Sequence, residues 1–204
     1  MAVFFFFAML LGAALQITNT FGGTFLEDFK VSYADSFGVR HPNLLLSISQ
    51  ISETLFILTI PFFFRKFGIK TVMIISIFAW VLRFGLFGLG NPGDGLILLV
   101  LSMIIYGMAF DFFNISGSLF VEKEADHSIM ASAQGLFMLM TNGIGAFLGG
   151  AFSGWVVDHF TTNGVRDWQS IWFSFAGYAL ILGLVFPFVF TYKHNPDEGL
   201  KPSH

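Results

Sequence analysis

Six long runs of apolar residues alternate with polar connections along this 204-residue chain. An α-helix needs roughly 20 residues to cross a bilayer, and each run is about that long. The pattern therefore predicts an all-α transmembrane fold, a six-helix bundle over residues 1–192 followed by a polar C-terminal tail over residues 193–204. The six predicted spans are residues 3–25, 43–64, 71–90, 96–120, 130–157 and 168–191.

The composition supports a membrane protein. Hydrophobic residues make up 55% of the chain and charged residues 11%, with a mean hydropathy of +0.75, whereas soluble domains carry about 25% charged residues. There is no cysteine, which excludes disulfides and thiolate metal sites. A net charge of −3 offers no basic surface for nucleic acid. We expect the lipid bilayer as a partner, and neither a nucleic acid nor a cofactor.

Basic residues in the connections predict the orientation, since they are enriched on the cytoplasmic side. With the N-terminus in the cytoplasm, six basic residues fall inside and three outside. The inside group is Arg65, Lys66, Lys70, Lys123, Lys193 and Lys201, and the outside group is Lys30, Arg40 and Arg166. Because the number of spans is even, both termini are expected in the cytoplasm of a multi-pass membrane protein.

Polar side chains recur at helical spacing within the first two spans. Gln16 and Asn19 are three positions apart, so they share one face of the first span. Gln50 and Glu53 do the same in the second span. A charge inside a bilayer is costly and usually functional, so Glu53 is a candidate site residue.

The fourth span carries a second intramembrane acid. Asp111 shares a face with Asn114, and Tyr106, Phe110 and Asn114 form an adjoining stripe. The alternative is a structural Asp111, neutralised by a partner in a neighbouring helix. At 1.5 Å per residue, Gln16, Glu53 and Asp111 each lie about 15–20 Å from a membrane surface, so we expect them to converge near the midplane.

Two further features of the spans have ordinary explanations. Arg83 lies close to the outer end of the third span, where its long stem can reach the interface, and we expect it to snorkel there. The fifth span has two registers of small residues, Gly145/Gly149 and Gly150/Gly154, which are typical of close helix packing in lipid.

Enzyme chemistry finds little support in the sequence. Ser116 and Ser153 are intramembrane hydroxyls, but no histidine lies at their depth to activate them. Asp111 has no second aspartate within the spans, and the chain has no phosphate loop or dinucleotide fingerprint. We expect a protein that is not an enzyme.

Four segments closely resemble the C-terminal half of bacterial nucleoside–proton symporters of the major facilitator superfamily. They are MLLGAALQITN, SISQISETLFILTIPFF, YGMAFDFFNISGS and LFVEKEADHSIMASAQGLFMLMTNG. The resemblance implies a complete transporter of twelve spans in which this chain supplies the last six. It also implies an N-terminal six-span half as a partner, lining the other side of the site.

The resemblance implies uptake of a uridine-like nucleoside together with a proton. The positions that match substrate-facing residues of the family are Gln16, Asn19, Gln50, Glu53, Tyr106, Phe110 and Asp111. Carboxylates and amides suit the ribose hydroxyls, and an aromatic ring suits the flat face of the base.

Asp111 and Glu53 are the candidates for proton coupling. We expect Asp111 to lead, because burial in a dry site disfavours the charged carboxylate, and Glu53 to act mainly on the ribose. Two alternatives stay open at this point. One is a transporter of sugars or polyols, and the other is a non-transporting membrane bundle that needs a partner half.

Overall fold

The computed structural model of this protein describes residues 1–192, so the predicted tail at 193–204 lies outside the described residues. All six apolar runs are helical. The helices are α1 (Ala2–Asp28), α2 (Phe37–Arg40), α3 (Pro42–Leu89), α4 (Leu96–Glu124), α5 (Met130–Met138), α6 (Ala146–His159) and α7 (Trp168–Val189), with a π-helical turn at Leu139–Gly145. A hairpin of β1 (Thr161–Thr162) and β2 (Val165–Arg166) precedes α7.

The chain reverses within α3, at Gly68. This glycine has φ 75° and ψ 167°, a non-helical conformation that lacks a steric penalty only for glycine. Ser52, before the break, donates a hydrogen bond to the Ile104 carbonyl, and Arg83, after it, donates to the Ser102 carbonyl. A straight helix would separate Ser52 from Arg83 by about 46 Å, yet both bond to the same turn of α4.

The two segments of α3, residues 42–67 and 69–89, are the first arm and the second arm. Ile60 of the first arm and Val72 of the second arm pack in one apolar cluster with Phe112 of α4. The second and third predicted spans are therefore confirmed as separate crossings, although they are joined by a single glycine.

Three connections lie together at one end of the bundle. Asp28, at the end of α1, accepts hydrogen bonds of 2.9–3.0 Å from the Arg166 guanidinium and one of 2.9 Å from the Trp168 indole. Gly93, between α3 and α4, lies against the Tyr33 ring, which a side chain there would overlap. These contacts put the first, third and fifth connections on one side, as predicted.

The connection around Gly68 lies at the other end. Lys70 Nζ donates a 2.9 Å hydrogen bond to the carbonyl of Pro187, near the end of α7. A cation suits a helix C-terminus, where the last carbonyls are unpaired. Successive helices thus run in opposite directions, in agreement with the predicted topology.

The fifth predicted span consists of α5, the π-helical turn and α6, and it packs directly on the backbone of α1. A side chain at Gly12 would overlap the Thr141 carbonyl, and a Cβ at Gly149 would lie 2.5 Å from the Ala13 carbonyl oxygen. Gly145 lies between these contacts, so the predicted Gly145/Gly149 register is confirmed as a packing surface.

The second glycine register behaves differently. A Cβ at Gly150 or Gly154 would meet no atom within 4 Å among the described residues. The prediction that Gly150/Gly154 packs helices is therefore not supported within this bundle.

The outer surface is apolar, as a bilayer requires. Leu58, Phe147 and Phe188 are 75%, 76% and 86% exposed. Five helices in residues 1–192 are long and apolar enough to cross a membrane, and α3 holds two crossings. A water-soluble protein rarely exposes apolar side chains over so large an area.

Substitution of Gly149 tests the packing of α6 on α1. Gly149→Ala should lower the melting temperature of the detergent-solubilised chain, because the new methyl presses on the Ala13 backbone at a cost of about 1–3 kcal/mol. Gly150→Ala is the matched control and should leave the melting temperature equal or slightly raised. Thermal melts followed by circular dichroism measure both, and equal melting temperatures would contradict this packing.

Candidate functional site

The candidate site begins at a close crossing between the first arm of α3 and α4. A Cβ on Gly107 would lie 2.6 Å from the Ser52 carbonyl oxygen, so glycine is needed here. The Ser52 hydroxyl fills this crossing, accepting from the Gly107 amide at 3.3 Å and donating to the Ile104 carbonyl. The crossing brings Glu53, which follows Ser52, close to Tyr106, which precedes Gly107.

The Glu53 carboxyl and the Tyr106 phenol lie close enough to interact electrostatically. Both side chains are partly buried. The Arg83 guanidinium carbon lies 4.3 Å from the centroid of the Tyr106 ring, on the side of the second arm. One acid, one phenol and one guanidinium from three segments therefore form a connected cluster, which we call the Glu53–Tyr106–Arg83 cluster.

Asp111 lies beside this cluster, and no side chain within residues 1–192 forms an ion pair with it. Its side chain is 6% exposed, and Oδ2 makes no hydrogen bond within residues 1–192. Glu53 is near enough to interact with it electrostatically. An unpaired buried carboxylate is costly, and a bound proton removes most of that cost.

Tyr106 and Phe110 form a parallel aromatic pair on α4. Their ring planes differ by 1° and their centroids are 5.8 Å apart, as expected for residues one helical turn apart. Trp80 of the second arm meets the Tyr106 ring edge-on at 5.9 Å. The pair offers flat aromatic faces next to two carboxyl groups.

A small cavity of about 10 Å³, with room for roughly one water molecule, lies between α1 and this region. Leu15 of α1, Trp80 and Phe110 are among the residues that line it. Asn114 also lines it, while its amide donates to the Phe110 carbonyl of its own helix. The cavity places α1 at the depth of the aromatic pair.

The three predicted amides do not join the cluster. Gln16, next to the lining residue Leu15, donates to Thr20 of its own helix at 3.2 Å. Asn19 and Gln50 are exposed on the surface of the bundle. The structure thus brings together Glu53, Tyr106, Phe110 and Asp111, whereas substrate binding by the amides stays a prediction.

The position of the Arg83 side chain differs from the one predicted from the sequence. Snorkelling to the interface was expected, but the side chain is 2% exposed and donates to the Ser102 carbonyl at 2.8 Å. The prediction was wrong because it considered distance from the helix end without the lateral neighbours. A usable signal was present: Ser76 and Arg83, seven positions apart, share a polar face of an apolar span.

Related sequences identify the family of this chain. The model of the family described as nucleoside H+ symporter matches residues 1–195. The chain belongs to this family. The expected family, the all-α fold equivalent to a C-terminal transporter half and the expectation of a non-enzyme are confirmed.

Two relatives come from Escherichia coli strain K12. The xanthosine permease is 62% identical over 201 residues, which cover 97% of this chain and 48% of the permease. The nucleoside permease NupG is 61% identical over 197 residues, which cover 95% of this chain and 47% of that protein. This chain therefore spans about half the length of the relatives it matches.

A solved structure shares the same fold. The crystal structure of the nucleoside transporter NupG superimposes with a TM-score of 0.89 at 61% identity, covering 95% of this chain and 48% of that one. At this similarity the helix arrangement described above is that of the major facilitator transporters.

Proposed function

We propose that this chain forms one half of a nucleoside–proton symporter and carries the residues that couple the two ligands. The proposal rests on membership of the nucleoside H+ symporter family and on similarity to a xanthosine permease and a nucleoside permease that are about twice as long. The N-terminal half of such a transporter would close the site from the opposite side. Transport by this chain alone is not expected.

One observation carries the proposal: the unpartnered, buried carboxyl of Asp111 lies beside the parallel rings of Tyr106 and Phe110. An aromatic face suits a nucleobase, and a carboxyl that is costly to keep charged suits a proton. With both on α4, bound substrate and bound proton are neighbours.

The two acids have different roles in this proposal. Asp111 takes up a proton while the site faces outward and releases it once the site opens to the cytoplasm. Glu53, partly buried beside Tyr106, accepts from ribose hydroxyls. Substrate that excludes water from Asp111 favours its protonated form, and by linkage the proton favours the substrate.

The three amides complete the proposed substrate site. Gln16, Asn19 and Gln50 are assigned to the nucleoside, each presenting both a donor and an acceptor. The exposure of Asn19 and Gln50 is compatible with contacts that form only when the second half is present.

Uptake of radiolabelled uridine tests the proposed function. The chain should be expressed alone and together with the N-terminal half of the E. coli permease NupG, in cells that lack nucleoside permeases. Uridine uptake is expected only with both halves. Uptake of sugars without uridine would favour a sugar or polyol transporter, and no uptake in either case would favour a non-transporting bundle.

The proposed location is the bacterial inner membrane, with the first, third and fifth connections outside. Because the chain has no cysteine, single cysteines can report the orientation cleanly. An impermeant thiol reagent added to intact cells should label a cysteine at Ser36 and leave one at Glu124 unlabelled. The reverse pattern would place the termini outside.

A further inference from the structure

Arg83 is a buried cation held firmly by α4. Its Nη1 atom donates to the Ser102 carbonyl at 2.8 Å, and the Ser102 hydroxyl donates back to the Arg83 carbonyl at 3.0 Å. The guanidinium lies between two rings, 4.3 Å from the centroid of Tyr106 and 5.3 Å from that of Phe87. These contacts restrict the movement of the guanidinium.

No carboxylate pairs directly with Arg83. The ion pairs within residues 1–192 are all elsewhere and at least partly exposed, and Arg83 Nε has no acceptor. The acid with which Arg83 interacts electrostatically is Glu53. A buried charge without a direct partner is expensive, so a role beyond packing is expected.

We propose that Arg83 is a positioning residue that holds the Tyr106 ring against Glu53 and acts as the fixed countercharge that keeps Glu53 ionised, leaving Asp111 to carry the proton. This inference rests on the proposed function and deepens it. In this inference the position of Arg83 determines which of the two acids carries the proton.

The charge balance of the buried groups supports this division. The groups comprise one guanidinium, which stays protonated, and two carboxyls. They are neutral when one of the two carboxyls carries a proton. Burial disfavours the charged form of both carboxyls. Tyr106 and the Arg83 guanidinium favour the charged form of Glu53, whereas the neighbouring charge that acts on Asp111 is the Glu53 carboxylate, which disfavours ionisation further. The proton is therefore expected on Asp111.

Within residues 1–192, the groups that act electrostatically on Arg83 are Tyr106 and Glu53. α7 presents aromatic rings to this region of the second arm, with Trp172 stacked on Phe87 at 4.6 Å. The Tyr178 hydroxyl, also on α7, donates a 2.7 Å hydrogen bond to the Leu10 carbonyl of α1. The titratable groups around the guanidinium are thus Glu53 and Tyr106, with Asp111 beyond them.

The geometry requires arginine in particular. A planar guanidinium stacks on the Tyr106 ring and donates at its edge to the Ser102 carbonyl in the same position. A lysine ammonium supplies the charge without the planar stack. Arg83→Lys therefore separates the countercharge from the positioning of the ring.

A double-mutant cycle tests the inference in the two-half assembly. The variants are Arg83→Gln, Arg83→Lys, Glu53→Gln and Arg83→Gln/Glu53→Gln, each measured for uridine KM and maximal rate and for melting temperature. Arg83→Gln should raise KM on the order of tenfold or more, and Arg83→Lys should raise it less. The double variant should bind no worse than Glu53→Gln, because a neutral Glu53 needs no countercharge.

Melting temperatures test the coupling of Arg83 and Glu53 in this chain without the N-terminal half. Removing one buried charge leaves the other uncompensated, so the double variant should melt at or above the temperature of Glu53→Gln. If Arg83 only packs, the losses add and the double variant is the least stable. Additive losses, or an Arg83→Gln variant with unchanged KM, would overturn the inference.

The outcomes separate this inference from the proposed function. If the wild-type assembly transports no uridine, the proposed function fails, and the melting cycle still decides whether Arg83 and Glu53 are coupled. If Arg83→Gln does not accumulate in the membrane, Arg83→Lys decides through its KM. An Arg83→Lys variant that loses stability at unchanged KM would contradict a positioning role.

Discussion

The central constraint on this protein is the cost of holding charge inside an apolar bundle. Arg83, Glu53 and Asp111 all lie within helices whose outer surfaces face lipid, and two of the three side chains are almost fully buried. Such groups are stable only when they are hydrogen-bonded, balanced or protonated. The Ser102 carbonyl meets this need for Arg83 by accepting its hydrogen bond, and in the proposed function a bound proton meets it for Asp111.

Close helix packing makes this arrangement possible. Gly107 lets the first arm of α3 approach α4 until Glu53 and Tyr106 meet, and Gly68 lets the chain return so that Arg83 reaches the same turn. Gly12 and Gly149 do the same for α1 and α6. Without hydrophobic attraction between helices in lipid, such contacts rely on small residues and on interhelical hydrogen bonds.

Apolar runs and helical spacing were enough to predict much of the fold, and intramembrane charge singled out Glu53 and Asp111 as candidate site residues. Tyr106 and Phe110 were assigned to the site through the resemblance to the symporter family, since aromatic residues in so phenylalanine-rich a chain usually only pack. The burial of Arg83 was missed, since whether a long cation snorkels depends on its neighbours across the helix interface. The π-helical turn at Leu139–Gly145 was also missed, because it arises where α5 and α6 meet the backbone of α1.

The most direct test asks which acid carries the proton. In vesicles that contain both halves, Asp111→Asn mimics the protonated acid and should keep uridine binding and exchange while losing accumulation driven by an inward proton gradient. Glu53→Gln should weaken binding at every pH, and Asp158→Asn, an exposed acid at the end of α6, should behave as the wild type. If Asp111→Asn still concentrates uridine with normal pH dependence, Asp111 is not the coupling group, and Glu53 takes its place.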